Sequence, residues 1–271
     1  MEKQMSISRI KSQIISQECI AEGIFSMWLC APGIAQEARP GQFVSVYSKD
    51  RSRLLPRPIS ICETDRRRGW IRLVYRIAGL GTLEFSSYGP SDELEIMGPL
   101  GNGYDLDAAS AAGRSDISAA SCTAILAAGG IGIPPMLELA KELECKKIIV
   151  LGYRDELFLN KEFAKLGRVV ISTEDGSAGT CGNVLDAIRE QDISGDVIYS
   201  CGPTPMLRAV KKYAADCSIP AWISLEERMA CGVGACLACV CRSTEKDSHS
   251  NVNNKRVCRD GPVFDAREVE I

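Results

Sequence analysis

The chain has 271 residues, of which 45% are hydrophobic, and a formal net charge of −3 at pH 7. This length predicts two or three domains with real cores, and the small negative charge gives no reason to expect a nucleic-acid partner. No apolar run approaches the roughly 18 residues of a membrane-spanning helix, and residues 1–20 lack the apolar core of a signal peptide.

The first segment, residues 1–107, predicts an antiparallel β-barrel. Stretches such as FVSVY (43–47) alternate or are rich in β-branched and aromatic residues, and Gly and Pro interrupt them at short intervals. Three arginines before Gly69 predict an exposed hairpin turn, with phosphate binding as a less favoured role. Pro56 and Pro58 remove backbone donors, which indicates an edge strand or the barrel rim.

Two motifs of this segment could bind a phosphate. In LLPRPISI (54–61), the Arg57 guanidinium could pair with a phosphate and the Ser60 hydroxyl with a ring nitrogen. Gly81 and Thr82 precede a predicted helix, TLEFSSY, of which Thr82 would be the N-cap. Each residue also has a purely structural interpretation, Arg57 as a surface charge and Thr82 as a cap alone.

An Ala- and Ser-rich segment, residues 108–121, predicts a linker between domains. Beyond it, residues 122–222 alternate strand-like stretches with helix-like ones of ~10–14 residues, which predicts a parallel, doubly wound sheet. The first strand, CTAILAA, leads into the turn GGIGIPP and the helix PPMLELAKELE, which has proline in its first turn. The later strands are KKIIVLGYR, RVVISTE and DVIYSCG, and the later helices are LNKEFAKLG, GNVLDAIREQ and TPMLRAVKKYAADC.

Two turns of this predicted sheet follow strands and open helices, as a dinucleotide site requires. They are Gly129, Gly130 and Gly132, and Cys201, Gly202 and Pro203. Glycine lets a ligand approach the backbone, a helix N-terminus favours a phosphate, and ligands bind at the C-terminal ends of strands in open α/β sheets. Because G-G-x-G is not G-x-G-x-x-G, tight turns without a ligand are an alternative, and Cys201 also fits a buried core thiol.

Two acidic residues, Glu174 and Asp175, end the third strand of this segment. A carboxylate at such a strand end accepts a hydrogen bond from a ribose 2′-hydroxyl and repels a 2′-phosphate. The pair therefore favours NAD over NADP, and a solvated loop is the alternative interpretation.

Four cysteines in the last segment, residues 223–271, form the most informative pattern in the chain. They are Cys231, Cys236, Cys239 and Cys258. The spacing C-x4-C-x2-C with a distant fourth cysteine is the plant-type pattern of a 2Fe–2S cluster, and the Gly and Ala between them let the backbone donate to the sulfurs. Structural zinc is the alternative, although zinc sites favour two C-x2-C pairs, and a disulfide framework is less consistent with so long a chain.

The remaining cysteines and the single histidine predict no further site. Eight cysteines are scattered from Cys19 to Cys217, which fits a reducing cytosol where such thiols behave as small apolar groups. His249 lies in a polar stretch, KDSHSNVNNK, and predicts a solvated loop residue. Catalysis by this chain is therefore not expected to depend on histidine.

The order of these motifs resembles the ferredoxin–NADP reductase superfamily, and in particular the electron-transfer subunits of NAD-dependent (class B) dihydroorotate dehydrogenases. The matching strings span most of the chain in the family's order. They are RPIS (57–60), LVYR (73–76), GLGT (79–82), GPLGNG (98–103), AAGGIGIPPM (127–136), CGPTPM (201–206), EERMACGVGACLACVC (226–241) and CRDGPVF (258–264). Two departures are Pro56, where the family often has a second arginine, and the length of segment 108–121.

The resemblance implies three cofactors with defined residues. The barrel would bind FAD through Arg57, Pro58, Ile59 and Ser60, with Val74, Tyr75 and Arg76 beside the flavin and Gly81 and Thr82 at the pyrophosphate. The four cysteines would hold the 2Fe–2S cluster, and Cys241 would be a packing thiol on the next strand. Ser60 would steer the flavin's reactive edge, and the turn at 201–203 would face the nicotinamide of NAD.

The resemblance also implies a partner and an activity. A catalytic subunit with FMN would oxidise dihydroorotate, and this chain would pass the electrons through the cluster and FAD to NAD⁺ in pyrimidine biosynthesis. Two copies of each subunit would form a cytoplasmic heterotetramer, with no residue here acting as a general acid or base. The partner would meet an apolar patch at Val233 and Leu237.

Two other functions fit parts of the same pattern. One is the small subunit of a sulfide dehydrogenase or an NADH-dependent ferredoxin:NADP reductase, whose cluster motif begins with aspartate where this chain has Cys231. The other is a nucleotide-binding regulator held together by zinc and without a redox role.

Overall fold

Six strands form the N-terminal part of the computed structural model, which describes residues 7–113, 118–246 and 251–271. The strands are β1 (Ser8–Ala21), β2 (Ile24–Cys30), β3 (Phe43–Tyr47), β4 (Arg57–Asp65), β5 (Trp70–Arg76) and β6 (Glu93–Leu100). They close into an antiparallel barrel in the order β1-β2-β5-β4-β3-β6. Two short helices, α1 (Pro32–Glu37) and α2 (Leu80–Ser86), lie between strands. The predicted barrel is confirmed.

The barrel core follows from the alternation of side chains along each strand. In β5, Ile71, Leu73 and Tyr75 enter the barrel core, whereas Val74 joins a core cluster shared with the following domain. The predicted hairpin turn between β4 and β5 is confirmed, with exposed arginines before Gly69 at φ +72°. The left-handed backbone favours glycine at that position.

The segment predicted as a linker contains ordered structure. Helix α3 (Ala108–Ala111) is followed, after the residues outside the description, by a 3₁₀ turn at Ala119–Ser121. Ala108, Ala111 and Ala112 are buried in the core of the following sheet. Small side chains are used there because they let the connection lie against that core.

A parallel sheet forms the middle of the chain. Its strands in chain order are β7 (Thr123–Gly129), β8 (Lys146–Tyr153), β9 (Arg168–Thr173), β10 (Thr180–Cys181), β11 (Val197–Cys201) and β12 (Ala221–Ser224). Its helices are α4 (Pro135–Glu142), α5 (Asn160–Phe163), α6 (Val184–Glu190) and α7 (Thr204–Asp216). Residues of β7 alternate between two apolar clusters, Leu126 in one and Ile125 in the other, so both faces of the sheet are covered. The predicted doubly wound sheet is confirmed.

The cysteine-rich segment contributes four further strands. They are β13 (Val240–Ser243), β14 (Asn254–Arg256), β15 (Val263–Asp265) and β16 (Val269–Glu270). Strands β14, β13 and β16 form a small sheet, whereas β15 joins the large sheet, whose order is β10-β9-β8-β7-β11-β12-β15. β15 pairs antiparallel with β12. β12 ends at Ser224, two residues beyond the end of segment 122–222 that was predicted to form the parallel sheet. The segment therefore completes the sheet that precedes it.

The Gly-rich segment after β6 attaches the cysteine-rich segment to the barrel. The Asn102 amide N–H donates to the Gly261 carbonyl at 2.6 Å, and its side-chain amide donates to the carbonyls of Arg259 and Asp260. A side chain at Gly101 would lie 2.5 Å from Pro262 Cδ. These contacts fix the position of the cysteine loop against the barrel.

Charged side chains join the barrel to the parallel sheet. The buried Arg72 donates to Glu63 at 3.2 Å and to Glu162 at 2.8 Å, which links β5 to α5. The buried carboxylate of Glu138 on α4 accepts hydrogen bonds from the amide and the hydroxyl of Thr64. Within the residues described, no helix is both long and apolar enough to cross a membrane.

Candidate functional site

The four cysteines of the predicted cluster lie as two pairs. The sulfurs of Cys231 and Cys236 are 3.3 Å apart, and the Cys258 amide N–H approaches the Cys239 sulfur at 3.5 Å. Over residues 7–113, 118–246 and 251–271, no three Cys, His, Asp or Glu donors gather around one point suitable for a single ion. Two pairs of soft thiolates match a cluster with two irons, each iron taking two cysteines.

Backbone amides point at these sulfurs. Gly234 N–H donates to the Cys258 sulfur at 3.2 Å, and Cys236 N–H donates to the Cys231 sulfur at 3.3 Å. Burial opposes ionisation of Cys231, but donation from the amides of Cys236 and Val233 outweighs it and lowers its pKa to about 6. Burial, together with the neighbouring Cys239, raises the pKa of Cys258 to about 12. The Cys258 thiol would therefore release its proton on binding metal.

Glycines shape the loop that carries the first three cysteines. Gly232 and Gly234 have φ of +69° and +79°, where a side chain is disfavoured. A Cβ at Gly234 would lie 2.5 Å from Arg259 Cδ, and one at Gly232 would lie 2.9 Å from Ser45 Oγ. The loop thus packs tightly against its surroundings while its amides face the thiols, an arrangement that fits a 2Fe–2S cluster.

The same loop exposes two apolar side chains. Val233 is 39% exposed and Leu237 is 76% exposed, so the predicted exposure of these two apolar residues in the cysteine loop is confirmed. Cys241, on β13 after the loop, is buried in an apolar core, and burial raises the pKa of its thiol to about 11. This agrees with the expected packing role of Cys241.

The predicted flavin residues lie around the start of β4. Arg57–Ser60 pairs with β3, whereas the pairing of β4 with β5 begins only at Ile61. This part of the strand therefore borders a gap in the barrel wall, in agreement with the rim position predicted from its prolines. The Arg57 guanidinium lies over Gly81, where a Cβ would be 2.5 Å from Arg57 Nε, and donates to the Leu55 carbonyl. Arg57 and Gly81 are thus brought together, as binding of one pyrophosphate requires.

The other predicted flavin residues divide between the two faces of the barrel wall. Ile59 and Tyr75 are in the barrel core, and the Tyr75 hydroxyl donates to Gln17 at 2.9 Å. These two could meet a flavin only through their backbone. Buried Val74 lies in the cluster shared with the parallel sheet. Arg76 is exposed, and Pro58 and Ser60 are half-buried.

The predicted N-cap role of Thr82 is wrong. Helix α2 begins at Leu80 with Gly79 as its N-cap, which places Thr82 at the third helical position. The Thr82 hydroxyl reaches back and accepts hydrogen bonds from the amides of Ala78 and Gly79 at 2.9 and 3.2 Å. Threonine at this position therefore stabilises the helix start from inside.

The two predicted nucleotide turns touch each other. Strands β7 and β11 are parallel neighbours, with Ala128 opposite Cys201, so both turns lie at the same edge of the sheet. A side chain at Gly132 would collide with the carbonyl of Cys201, and one at Gly202 would lie 3.2 Å from the Gly129 amide. In the same turns, Gly130 is half-buried and Pro203 is exposed. Burial raises the pKa of the Cys201 thiol to about 12, so that thiol stays protonated.

Glu174 and Asp175 lie at the same edge, separated from the glycine turns by β8. Both are exposed and follow β9. The Asp175 carboxylate accepts hydrogen bonds from the amide and hydroxyl of Ser177 at 3.0 and 2.7 Å, which lower its pKa. Asp175 is thus held in a turn by Ser177. His249 lies outside the described residues.

Three positioning residues escaped prediction from the sequence. Asn102 anchors the cysteine-rich segment, Glu138 joins the barrel to α4, and Ser45 lies against the cysteine loop. The alternation in FVSVY places Ser45 on the same strand face as Phe43 and Tyr47, but it does not identify what covers that face. Asn102 lies in the string GPLGNG (98–103), which does not show what the asparagine contacts, and Glu138 has no pattern of its own.

Comparison with known proteins gives a consistent result. Residues 226–270 match the family model described as the iron-sulfur cluster binding domain of dihydroorotate dehydrogenase B. The electron transfer subunit of dihydroorotate dehydrogenase B (NAD(+)) from Geobacillus thermodenitrificans is 42% identical over 269 residues, covering 97% of this chain and 99% of that protein. The protein of the same name from Geobacillus sp. (strain WCH70) is 43% identical over 262 residues, covering 94% and 96%.

A solved structure extends this likeness to three dimensions. The structure of an NADH-dependent reduced ferredoxin-NADP oxidoreductase superposes with a TM-score of 0.83 at 29% identity, covering 96% of this chain and 89% of that one. The barrel, the parallel sheet and the cysteine-rich segment therefore occur in one arrangement in both proteins.

Proposed function

The chain belongs to the family of dihydroorotate dehydrogenase B electron transfer subunits, and we propose that it carries electrons from a dihydroorotate-oxidising partner to NAD⁺. It is an oxidoreductase subunit, and its part is to hold cofactors in sequence. The observation that carries the proposal is the loop of residues 231–239. That loop presents paired thiols inward and Leu237 outward while it packs on the barrel at Ser45.

The residues divide the work between three binding sites. When bound, the cluster exchanges single electrons, FAD exchanges one or two, and NAD⁺ accepts a hydride. Arg57 and Gly81 would bind the FAD pyrophosphate, and Pro58 and Ser60 would face the flavin ring. The flavin ring would be flanked by the side chains of Val74 and Arg76 and by the backbones of Ile59 and Tyr75. Thr82 would stabilise the start of α2.

The touching glycine turns would hold the dinucleotide. Gly129, Gly130 and Gly132 would admit the pyrophosphate, and the turn of Cys201, Gly202 and Pro203 would face the nicotinamide. Glu174 would accept from the ribose 2′-hydroxyl and Asp175 would hold the turn beside it, which favours NAD over NADP. No side chain here has to move a proton on the pyrimidine.

The proposed partner is an FMN-containing subunit that oxidises dihydroorotate in pyrimidine biosynthesis. The family name supports a separate catalytic subunit, and exposed Val233 and Leu237 beside the thiols support docking at the cysteine loop. We infer a heterotetramer of two catalytic and two electron-transfer subunits. We also infer a cytoplasmic location, since all thirteen cysteines lie outside disulfides, as in a reducing compartment.

The test is NADH formation from dihydroorotate by the full chain mixed with a candidate catalytic subunit. The expected result is dihydroorotate-dependent reduction of NAD⁺, faster than that of NADP⁺, only when both subunits are present. Leu237→Ser should weaken the complex by about 1–3 kcal/mol through loss of a buried apolar contact, measured as the Kd of the two subunits. Val252→Ser is the matched control, because exposed Val252 lies at the far end of the β13–β14 hairpin from Cys239 and Cys258.

Two results would contradict the proposal. A colourless purified chain with stoichiometric zinc and no acid-labile sulfide would remove the redox role altogether. Equal weakening by Leu237→Ser and Val252→Ser would remove the cysteine loop as the docking surface.

A second candidate is a subunit of an NADH-dependent ferredoxin:NADP reductase. The 0.83 TM-score to such a protein favours it, whereas a cysteine at position 231 favours the first candidate. An assay that supplies reduced ferredoxin instead of dihydroorotate and the catalytic subunit distinguishes the two candidates. Only the second candidate would use ferredoxin as the electron source.

A further inference from the structure

Ser45, in the middle of β3, has a buried hydroxyl that the proposed function has not used. The side chain is fully buried, and its oxygen has no hydrogen-bond partner among the residues that the structure describes. An unpaired buried hydroxyl costs free energy, because it has lost its hydrogen bonds to water without gaining others. A group that accepts from this hydroxyl when the cofactors are bound would offset that cost.

The surroundings of Ser45 are formed by the cysteine loop and the outer face of the barrel. Apart from Gly232 itself and its two chain neighbours, the Ser45 oxygen is the atom nearest to the position of a Cβ at Gly232, at 2.9 Å, followed by atoms of Leu100 and Met97. Gly232 is bonded to Cys231 and adopts the left-handed conformation that turns the chain there. The hydroxyl is therefore directed at the loop, beside the first of the four cysteines.

The same strand face leads to the predicted flavin residues. Ser45 is directly opposite Pro58 on β4, and Phe43 is opposite Ser60. Directly opposite residues of an antiparallel pair share one face. Phe43 also belongs to the apolar core that contains Cys239 and Cys258. Ser45 thus lies between the cysteine loop on one side and the flavin-facing end of β4 on the other.

Apolar neighbours leave few acceptors for this hydroxyl. The Leu100 side chain has no acceptor atom, and the thioether sulfur of Met97 is only a weak acceptor. Thiolate and sulfide sulfurs of a bound cluster are negatively charged acceptors, and hydrogen bonds to them raise the reduction potential because the reduced cluster carries more negative charge.

We propose that the Ser45 hydroxyl donates a hydrogen bond to a cluster sulfur at Cys231 and thereby raises the cluster's reduction potential. This rests on the proposed function, since it requires the 2Fe–2S cluster. Measuring iron and acid-labile sulfide in the wild-type chain tests for the cluster itself, separately from the role of Ser45.

The experiment compares Ser45→Ala with Ser172→Ala in the full chain loaded with cluster and FAD. Ser172 is a matched control because its hydroxyl is also fully buried and unpartnered among the described residues, but it lies on β9 of the parallel sheet. Redox titration followed by EPR should show that Ser45→Ala lowers the equilibrium constant for one-electron reduction of the cluster about tenfold, or 59 mV. The FAD potential of Ser45→Ala and the cluster potential of Ser172→Ala should both equal the wild-type values.

Two further measurements keep the test decisive. Pulsed EPR of the reduced wild-type cluster in D₂O should detect an exchangeable deuteron near a sulfur that Ser45→Ala lacks. In the chain without cofactors, Ser45→Ala should unfold at the same or a higher urea concentration, because it removes an unpaired group.

Three outcomes would overturn the role of Ser45. One is an unchanged cluster potential in Ser45→Ala. Another is a shift of the FAD potential alone, and a third is the same deuteron signal with and without the hydroxyl. If Ser45→Ala loads too little cluster for titration, Ser45→Gly, which also lacks the hydroxyl, replaces it in both measurements and is judged by the same three outcomes.

Discussion

The cysteine loop and the two nucleotide turns both depend on glycine, but in different ways. In the loop, Gly232 and Gly234 provide left-handed backbone within residues 231–239, which form neither helix nor strand. In the turns, Gly132 and Gly202 provide room, because neighbouring strand ends approach so closely that a side chain would collide. The first use shapes a chain around a ligand, and the second lets two elements touch.

This difference indicates what holds each site together. The nucleotide turns are fixed by β7 and β11, which are buried between two apolar cores. The loop has no strand or helix of its own, and it is held by packing against Ser45 and Arg259, by hydrogen bonds such as Arg256 to the Gly234 carbonyl at 3.0 Å, and by the metal it would bind. Loss of metal should therefore affect the loop far more than the turns.

The largest expected effect comes from removing a buried thiolate. Cys258→Ser should lower iron and sulfide per chain at least about tenfold, because a hydroxyl is a poor ligand for this soft site. Binding of NADH, measured by titration calorimetry, should be unchanged. Cys241→Ser is the control, since Cys241 is also buried but pairs with β14 and should retain the cluster. Parallel loss of iron and NADH binding would show that the two sites are not independent.

A smaller effect is expected at the glycine turns. Gly132→Ala should lower the free energy of unfolding by about 1–3 kcal/mol, since the new methyl group meets the Cys201 carbonyl. Urea unfolding and NADH affinity should both report the loss, while cluster iron stays constant.

Gly130→Ala is the comparison for Gly132→Ala. Nothing lies within 4 Å of a Cβ at Gly130, so only its φ of +54° opposes the change. The expected cost is about 1–2 kcal/mol, without the loss of contact between the turns. If Gly132→Ala bound NADH normally but contained less iron per chain, the turn would support the cluster rather than the nucleotide site, opposite to what is expected.

The smallest expected effect is on the pH dependence of stability, and it comes from the buried carboxyl group of Glu138 on α4. Burial raises the pKa of Glu138 above its ordinary value of 4.5, although hydrogen bonds from Thr64 oppose this. Because the folded chain holds this proton more tightly, the corresponding stability is present below pH 4.5 and is lost as pH rises through the raised pKa. Glu138→Gln should make the free energy of unfolding less dependent on pH above 4.5. An identical pH dependence in both chains would exclude ionisation of Glu138 as the cause.

Local patterns in the sequence account for most of the fold. Alternation in β3 (FVSVY) and the strand–helix repeat from β7 to α7 predict the barrel and the parallel sheet, because each element buries a face that its own period defines. The cysteine spacing predicts the thiol set for a similar reason, since one short loop supplies three of the four ligands. Thr82 was misplaced because Gly79 has no side chain and gives no capping signal, while the threonine acts from the third position.

Long-range pairing accounts for what the sequence did not reveal. β15 pairs with β12 across the whole cysteine loop, and nothing local to Val263–Asp265 identifies that partner. Ser45 is visible as a polar residue in an apolar strand, but its contact with Gly232 depends on how two distant segments meet. Segment 108–121 was predicted as a linker because small Ala and Ser side chains suit a linker as well as a packed surface, and Ala108 and Ala111 of α3 are in fact buried.

The pairing of β15 with β12 has a consequence for how the chain is made. During synthesis, the edge of β12 stays open while the ribosome produces the cysteine loop, and it closes only after Val263–Asp265 emerge. An open strand edge is a template for pairing with other chains. Newly made molecules should therefore be most prone to aggregation in that interval, and a product truncated after the loop should keep that vulnerability permanently.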